Sequence, residues 1–369
     1  MKHRASVTVL SLALIASAAQ AGWEIECAGC EPWFEEGYPN HALSVWSDGQ
    51  RLLANGGDGL YLMRDDGSGW TFETVSTAVA KGVSLAANES GQIWIVCDNR
   101  GTGHISLAEF TDNTWTFHQN SVLNSAGEDP HFAYCRTYIG AVYHTYQRGG
   151  TWVIETVART GRGTRHVSMA WDAAGNPVIS FLSGTGQEMR VAAKDGLQWR
   201  IETIYGARSL DQHSFCMGPD GTTHLAAKEH PSEGLFYGRN PGGGWTFERA
   251  PASPGRVTGI AADSAGVPYI AYQEYTGEDR ISLARREPTG WIIEDLDYGI
   301  TTDVGVGVDA SGRVTVGYSG NYQLLKVITG YPGQGDWQIT SLTTVGSLFD
   351  LQVIPTGETF ISLNGFDEC

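Results

Sequence analysis

The chain has 369 residues, 41% of them apolar, and sets 24 Lys and Arg against 41 Asp and Glu for a formal net charge of −17. A surface this acidic repels phosphate backbones and anionic headgroups, which argues against nucleic acid and membrane surfaces as partners. The length exceeds a typical domain but suits an all-β architecture built as one unit.

At the start, Lys2, His3 and Arg4 precede an apolar run from Val7 to Ala16, and Ala19-Gln20-Ala21 precedes Gly22. This is the order of a secretory leader, with an apolar part too short to anchor in a bilayer. The expected division is a signal peptide over residues 1–21, cleaved after Ala21, and a single domain over 22–369 in the periplasm or outside the cell. No later run reads as a membrane span, so membrane insertion is not expected. Loss of Lys2 and Arg4 would take the formal charge from −17 to −19.

Downstream, tryptophans at 23, 70, 115, 152, 199, 245, 291 and 337 open similar phrases, among them GWTFETV, TWVIETV, QWRIETI and GWIIEDL. Their spacings are 47, 45, 37, 47, 46, 46 and 46. Each phrase leads through a loop to a run of small and apolar residues ending in a Gly turn, as in HVSMAWDAAG and VTGIAADSAG. A second strand (NPVISFLS, VPYIAYQEY), a third (EMRVAAKD, RISLARRE) and a short turn return to the next tryptophan. Four short strands per unit, repeated, predict a β-propeller of four-stranded antiparallel blades. Ala, Gly and Ser suit first strands that converge near an axis. The tryptophans suit the gaps between blades farther out. The recurring Glu26, Glu73, Glu155, Glu202, Glu248 and Glu294, three residues after tryptophan, read as the solvent face of the outer strand.

First strands starting near 41, 82, 131, 166, 212, 257, 303 and 348 give eight blades, or seven if the short third unit is degenerate. The last unit shows two strands and the N-terminal WEIEC is an unmatched outer strand, so joining the two would close the ring. Cys369 would then lie near Cys27 or Cys30. A second candidate disulfide joins Cys97 to Cys135, leaving Cys216 as a buried thiol.

The phrases DxxGxPxIxY and GxWxxExV resemble the repeats of secreted and cell-surface bacterial propellers, loosely grouped with the sialidase-like BNR propellers. The resemblance covers nearly all of residues 22–369 and implies a fold. The stricter Asp-box SxDxGxxW is intact in no unit, NESGQIW being the nearest, and no early arginine phrase of the sialidase kind is present.

Aligned on the starts of the first strands, one position holds His41, Gly82, His131, His166, His213, Val257 and Asp303. Lys81, Arg165 and Arg256 adjoin it, and the entering loops add Arg159, Arg162 and Arg208. This predicts a His- and Arg-lined channel mouth that attracts an anionic ligand. The preferred reading is an extracellular recognition propeller, a monomer, binding an anionic glycan or a related surface or matrix ligand. The alternatives are a lyase acting on a uronate-containing polysaccharide, with His131, Tyr134, His144, His166 and Arg165 in the catalytic set, and a surface-assembly module without a small ligand. No cofactor is expected. Calcium at the acidic turns Asp65-Asp66-Gly67 and Asp98-Asn99, or zinc at the histidines, is the remaining metal chemistry. Neither a distinguishable carboxylate pair nor a GxSxG elbow points to hydrolysis.

Overall fold

The computed structural model describes residues 9–16, 24–31, 41–45, 51–56, 59–65, 70–78, 80–87, 91–99, 104–119, 131–136, 139–148, 151–172, 174–184, 188–205, 210–229, 234–242, 244–252, 254–275, 279–299, 301, 304–319, 324–353 and 359–365. These contain strands and turns but no helix, and so none long and apolar enough to cross a membrane.

Sheets 1 (residues 41–76), 2 (80–119), 4 (165–205), 5 (210–250) and 6 (254–298) are four-stranded antiparallel meanders, and sheet 3 (131–159) has three strands. A seven-stranded sheet follows, in the order Val304–Val308, Val314–Ser319, Leu324–Gly330, Gln338–Val353, Thr359–Gly365, and then Val9–Ala16 and Glu24–Glu31. Its 16-residue strand Gln338–Val353 serves two meanders, pairing Leu324–Gly330 with its first part and Thr359–Gly365 with its second. The run read as the apolar core of a leader thus has a strand position, between Thr359–Gly365 and the Glu24–Glu31 strand that carries Cys27 and Cys30.

First strand lies against first strand between sheets 1 and 2, 4 and 5, and 5 and 6, as in propeller blades, and the first strand of sheet 4 lies against His131–Arg136 of sheet 3. The strand His41–Val45 of sheet 1 also lies beside Gln338–Val353 and Thr359–Gly365. Apolar clusters fill the seams between sheets. Leu52, Leu62 and Val75 of sheet 1 meet Ile93, Ile95 and Trp115 of sheet 2, while Tyr237 of sheet 5 meets Ile270, Tyr272 and Trp291 of sheet 6. The first-to-second turns share one device. Asp172, Asp263 and Asp309 each accept two backbone N–H groups on one carboxylate oxygen, and Gly175, Gly266 and Gly312 complete the turns at φ near 80°.

The recurring glutamates do not simply face solvent. The Trp115 indole donates to Glu73 (2.7 Å), Trp199 to Glu155 (3.1 Å) and Trp337 to Glu294 (3.2 Å). Each bond crosses a seam, so a repeat's glutamate anchors the next repeat's tryptophan. The outer strand's exposed face lies at a seam where an indole N–H needs a partner. Glu202 alone follows the solvent reading, exposed beside Arg200. The side chain of Glu26 lies outside the described residues.

The Cys97–Cys135 pairing is also corrected. Cys97 packs in the seam between sheets 1 and 2, and Cys135 in the seam between sheets 3 and 4, where its thiol donates to the Thr164 carbonyl. Two different seams hold them, and neither is in a disulfide. Cys216 is likewise a thiol, pushed up to about 12 by burial. Cys369 and the side chains of Cys27 and Cys30 lie outside the described residues.

Candidate functional site

In a four-stranded meander the chain enters and leaves at the same edge. That loop edge carries the connections between sheets and between second and third strands, and the opposite turn edge carries the tight turns. Sheet 3 breaks the parity. His131 pairs with Tyr146, near the Arg148–Thr151 end of the next ladder, whereas Arg136 pairs with Ala141 and Ala141 with Arg159. Its three strands therefore match the second, third and outer strands of the other sheets. His144 faces Glu155 across the ladder as Tyr237 faces Glu248 and Leu283 faces Glu294. Among the described residues the short unit lacks a first strand, so His131 lies at the turn edge and Arg159, Arg162 and Arg165 at the loop edge.

The other histidines divide further. His213 stands four residues before Met217, the last paired residue of its strand, whereas the pairing of sheet 4 puts His166 five before Trp171. Neighbouring positions on a strand point to opposite faces. His213 faces sheet 4, where its Nε2 lies 2.9 Å from Ser180 Oγ. First strands of sheets 2, 4, 5 and 6 each carry a register shift near the start, so counting from the start does not preserve phase. His41 and His166 keep strand positions, with side chains outside the described residues. The four histidines therefore do not form one constellation, and the lyase set of His131, Tyr134, His144, His166 and Arg165 is split between two edges. Tyr134 pairs with Tyr143 in mid-strand.

Sheet 3 instead builds a network the sequence did not announce. His131 Nδ1 lies 2.9 Å from His144 Nε2, and His144 Nδ1 lies 3.5 Å from Glu155 Oε2. Glu155 also accepts from Lys194, Trp199 and Tyr146. The rings of His144, His131 and Tyr146 stack with centroids 5.0–5.2 Å apart. Burial lowers His144 to about 4, helped by His131, so it is neutral at ordinary pH. Burial alone would raise Glu155, but the Lys194 ammonium, the Trp199 indole and His144 outweigh it and hold the carboxyl below its usual range. Only 1% of His144 is exposed, so it cannot touch a polymer and acts through its neighbours. The matching signal was the 37-residue spacing, the short unit that has three strands among the described residues.

The loop edge retains the arginines. Arg159 and Arg162 are exposed on the connection from sheet 3 to sheet 4. That connection is pinned: Thr160 N donates to Gly140 O (2.8 Å), the Thr160 and Thr164 hydroxyls lie 2.6 Å apart, and Thr164 donates to Gly161 O (2.9 Å). The backbones are in such close contact that a Cβ on Gly140 would fall 1.8 Å from Gly161 O. Arg165 opens the first strand of sheet 4, Lys81 is second in that of sheet 2, and Arg256 lies near the start of that of sheet 6. Their side chains, and all of Arg208, lie outside the described residues.

At the turn edge, a cleft of about 440 Å³ opens between sheets 5 and 6, lined by Tyr237, Arg239, Phe247, Glu248, Val267 and Arg286 among others. The sequence reading missed it because its residues come from separate repeats. Among the described residues no group of three or more His, Cys, Asp or Glu is placed to hold a metal ion. Asp65 is buried against Arg51, and Asp98-Asn99 ends a strand rather than forming a turn.

No protein-family model matches the chain and no curated protein matches it in sequence. Solved structures do. A mutant of the Aleuria aurantia lectin in complex with Fucα1-6GlcNAc is 15% identical with a TM-score of 0.43, covering 69% of this chain and 94% of that one. A protein of unknown function from Dyadobacter fermentans is 13% identical with a TM-score of 0.44, covering 88% and 93%. A puromycin hydrolase is 12% identical with a TM-score of 0.49, covering 89% of this chain and 58% of that one.

Proposed function

We propose that the protein is an extracellular recognition propeller that binds an anionic glycan at its loop edge. The pinned loop that exposes Arg159 and Arg162 carries this reading. Guanidinium groups present paired donors to carboxylate or sulfate, and a loop already held in place loses little freedom on binding. Lys81, Arg165 and Arg256 belong to the same edge by strand position, and Arg208 falls in the sequence between an outer strand and the next first strand, giving a positive patch on an acidic body. The proposal includes secretion as a monomer and eight blades, the last closed by N-terminal strand pairing and a clasp from Cys369 to Cys27 or Cys30.

A glycan array containing sulfated and uronate-bearing polymers tests the reading. The best-bound uronate polymer is then incubated with the protein while the ultraviolet absorbance of an unsaturated product is followed. Binding without new absorbance is the expected result. New absorbance would replace recognition with lyase chemistry, and an array without binding would leave an assembly module.

A further inference from the structure

Side chains alternate along a strand, and that alternation decides what the cleft between sheets 5 and 6 offers a ligand. Tyr237, Ile270 and Ala284 pack together in this seam, so positions in step with them face it. These are Arg239 and Glu248 from sheet 5 and Pro268 and Arg286 from sheet 6, with Pro288 at the turn that follows. The side chains of Val267 and Glu287 point the other way: Val267 packs into the seam between sheets 6 and 7, and Glu287 binds Arg285 at 2.8 Å. The Phe247 ring belongs to the sheet-4 face, where it stacks on Trp245 and Phe236.

Two guanidinium groups and one carboxylate therefore face the cleft. Arg286 donates from Nε to Glu248 at 2.6 Å and from Nη1 to the Glu287 carbonyl. Arg239 has no carboxylate partner among the described residues. Across the ladder it pairs with His224, which is fully buried and gives its Nδ1 to the Tyr237 hydroxyl at 2.7 Å. Burial, helped by the Arg239 charge, lowers His224 to about 4, so this neighbour is neutral at ordinary pH and adds no charge of its own. One positive charge is left unanswered in a cleft of about 440 Å³, on a chain whose formal charge is −17.

A cleft of that size suits a small molecule. A planar guanidinium presents paired donors that match a carboxylate. Glu248 borders the same space, so a dianion such as sulfate would meet like charge there, whereas a monoanion neutralises the site. Pro268, Pro288 and the Tyr237 ring supply apolar surface for the rest of the ligand. We infer that this cleft binds a small monocarboxylate with an apolar substituent, its carboxylate on Arg239, at a site separate from the loop edge and independent of the glycan reading.

Titration with benzoate, hexanoate and N-acetylalanine at pH 7, each beside its neutral amide, tests this by calorimetry or ligand-observed NMR. At least one acid should bind saturably with a stoichiometry of one, and its amide at least about tenfold more weakly. An equal concentration of sulfate should not displace it. Arg239→Gln changes an exposed side chain and should weaken binding by at least about tenfold, as loss of a charge-assisted pair does. Arg200→Ala removes the same charge from the outer strand of sheet 4 and should leave binding unchanged. Failure of every acid to saturate overturns the inference, as does an amide that binds as well as its acid, a comparison that needs no variant. Displacement by equal sulfate would overturn the assignment to a monocarboxylate. Undiminished binding by folded Arg239→Gln would place the acid elsewhere, the loop-edge arginines included, and equal losses in the Arg239 and Arg200 variants would mean overall charge alone. Either result overturns the site.

Discussion

Glu155 joins two sheets through Lys194, Trp199, Tyr146 and His144, and the neutrality of His144 is part of that arrangement. His224 is similar: it is fully buried, bonded through Nδ1 to the Tyr237 hydroxyl at 2.7 Å, and lowered to about 4 by burial and by Arg239. Both histidines have folded values below the ordinary 6.5, so between about 4 and 6.5 the unfolded chain binds more protons than the folded one. Stability is therefore complete above 6.5 and falls as pH drops toward 4, by on the order of 3 kcal/mol per histidine at most. Glu155, held below its usual range, adds a loss at still lower pH. Urea midpoints should fall from pH 7 to pH 4.5, and His224→Gln, which cannot titrate, should show a smaller fall. Equal midpoints for the natural protein at both pH values would contradict this reading of the buried histidines.

At the scale of elements, the seam bond from tryptophan to glutamate recurs where the repeat is regular. Trp199→Phe keeps most of the apolar packing but removes the donor, and should cost about 1–2 kcal/mol in urea unfolding. Trp291→Phe removes an indole N–H that makes no bond among the described residues, so it should cost less. A larger loss at Trp291 would contradict the role of the seam bond. The spacing of the tryptophans made the four-stranded units and the seam role of these side chains legible in advance. The partners of the glutamates were not legible, because a carboxylate and an indole 42–44 residues apart meet only when two sheets stack. The histidine alignment failed for a different reason. It assumed that every unit begins with a first strand and that first strands keep phase. Sheet 3 has three strands among the described residues, which puts His131 at the other edge, and His213 stands four residues before the end of its strand where His166 stands five, which puts the two out of phase. Arg159 and Arg162 stay on the loop edge because they follow an outer strand, whose end is fixed by the meander whatever happens at its beginning.

For the whole molecule, two expectations concern the chain's N-terminal part. Residues Val9–Ala16 pair with Thr359–Gly365 and with Glu24–Glu31, while the sequence around Ala21 reads as a cleavage site. Intact mass of the exported protein decides between them. A mass starting at Gly22 supports the leader, and Glu24–Glu31 must then reach the last sheet without that strand. A mass retaining Val9 contradicts cleavage. The recognition reading rests on the loop edge, and the anionic polysaccharide bound best on an array supplies its decisive measurement. Titrated by calorimetry, the Arg159→Ala, Arg162→Ala double variant should bind that polymer at least about tenfold more weakly, each lost charge-assisted bond contributing about 1.5–3 kcal/mol. Added salt should weaken binding by the natural protein. Arg200→Ala, on the exposed outer strand of sheet 4, should leave affinity unchanged. Equal losses in the Arg200 variant and the loop variant would mean that overall charge governs binding, and an unchanged affinity in the double variant would contradict recognition at this edge.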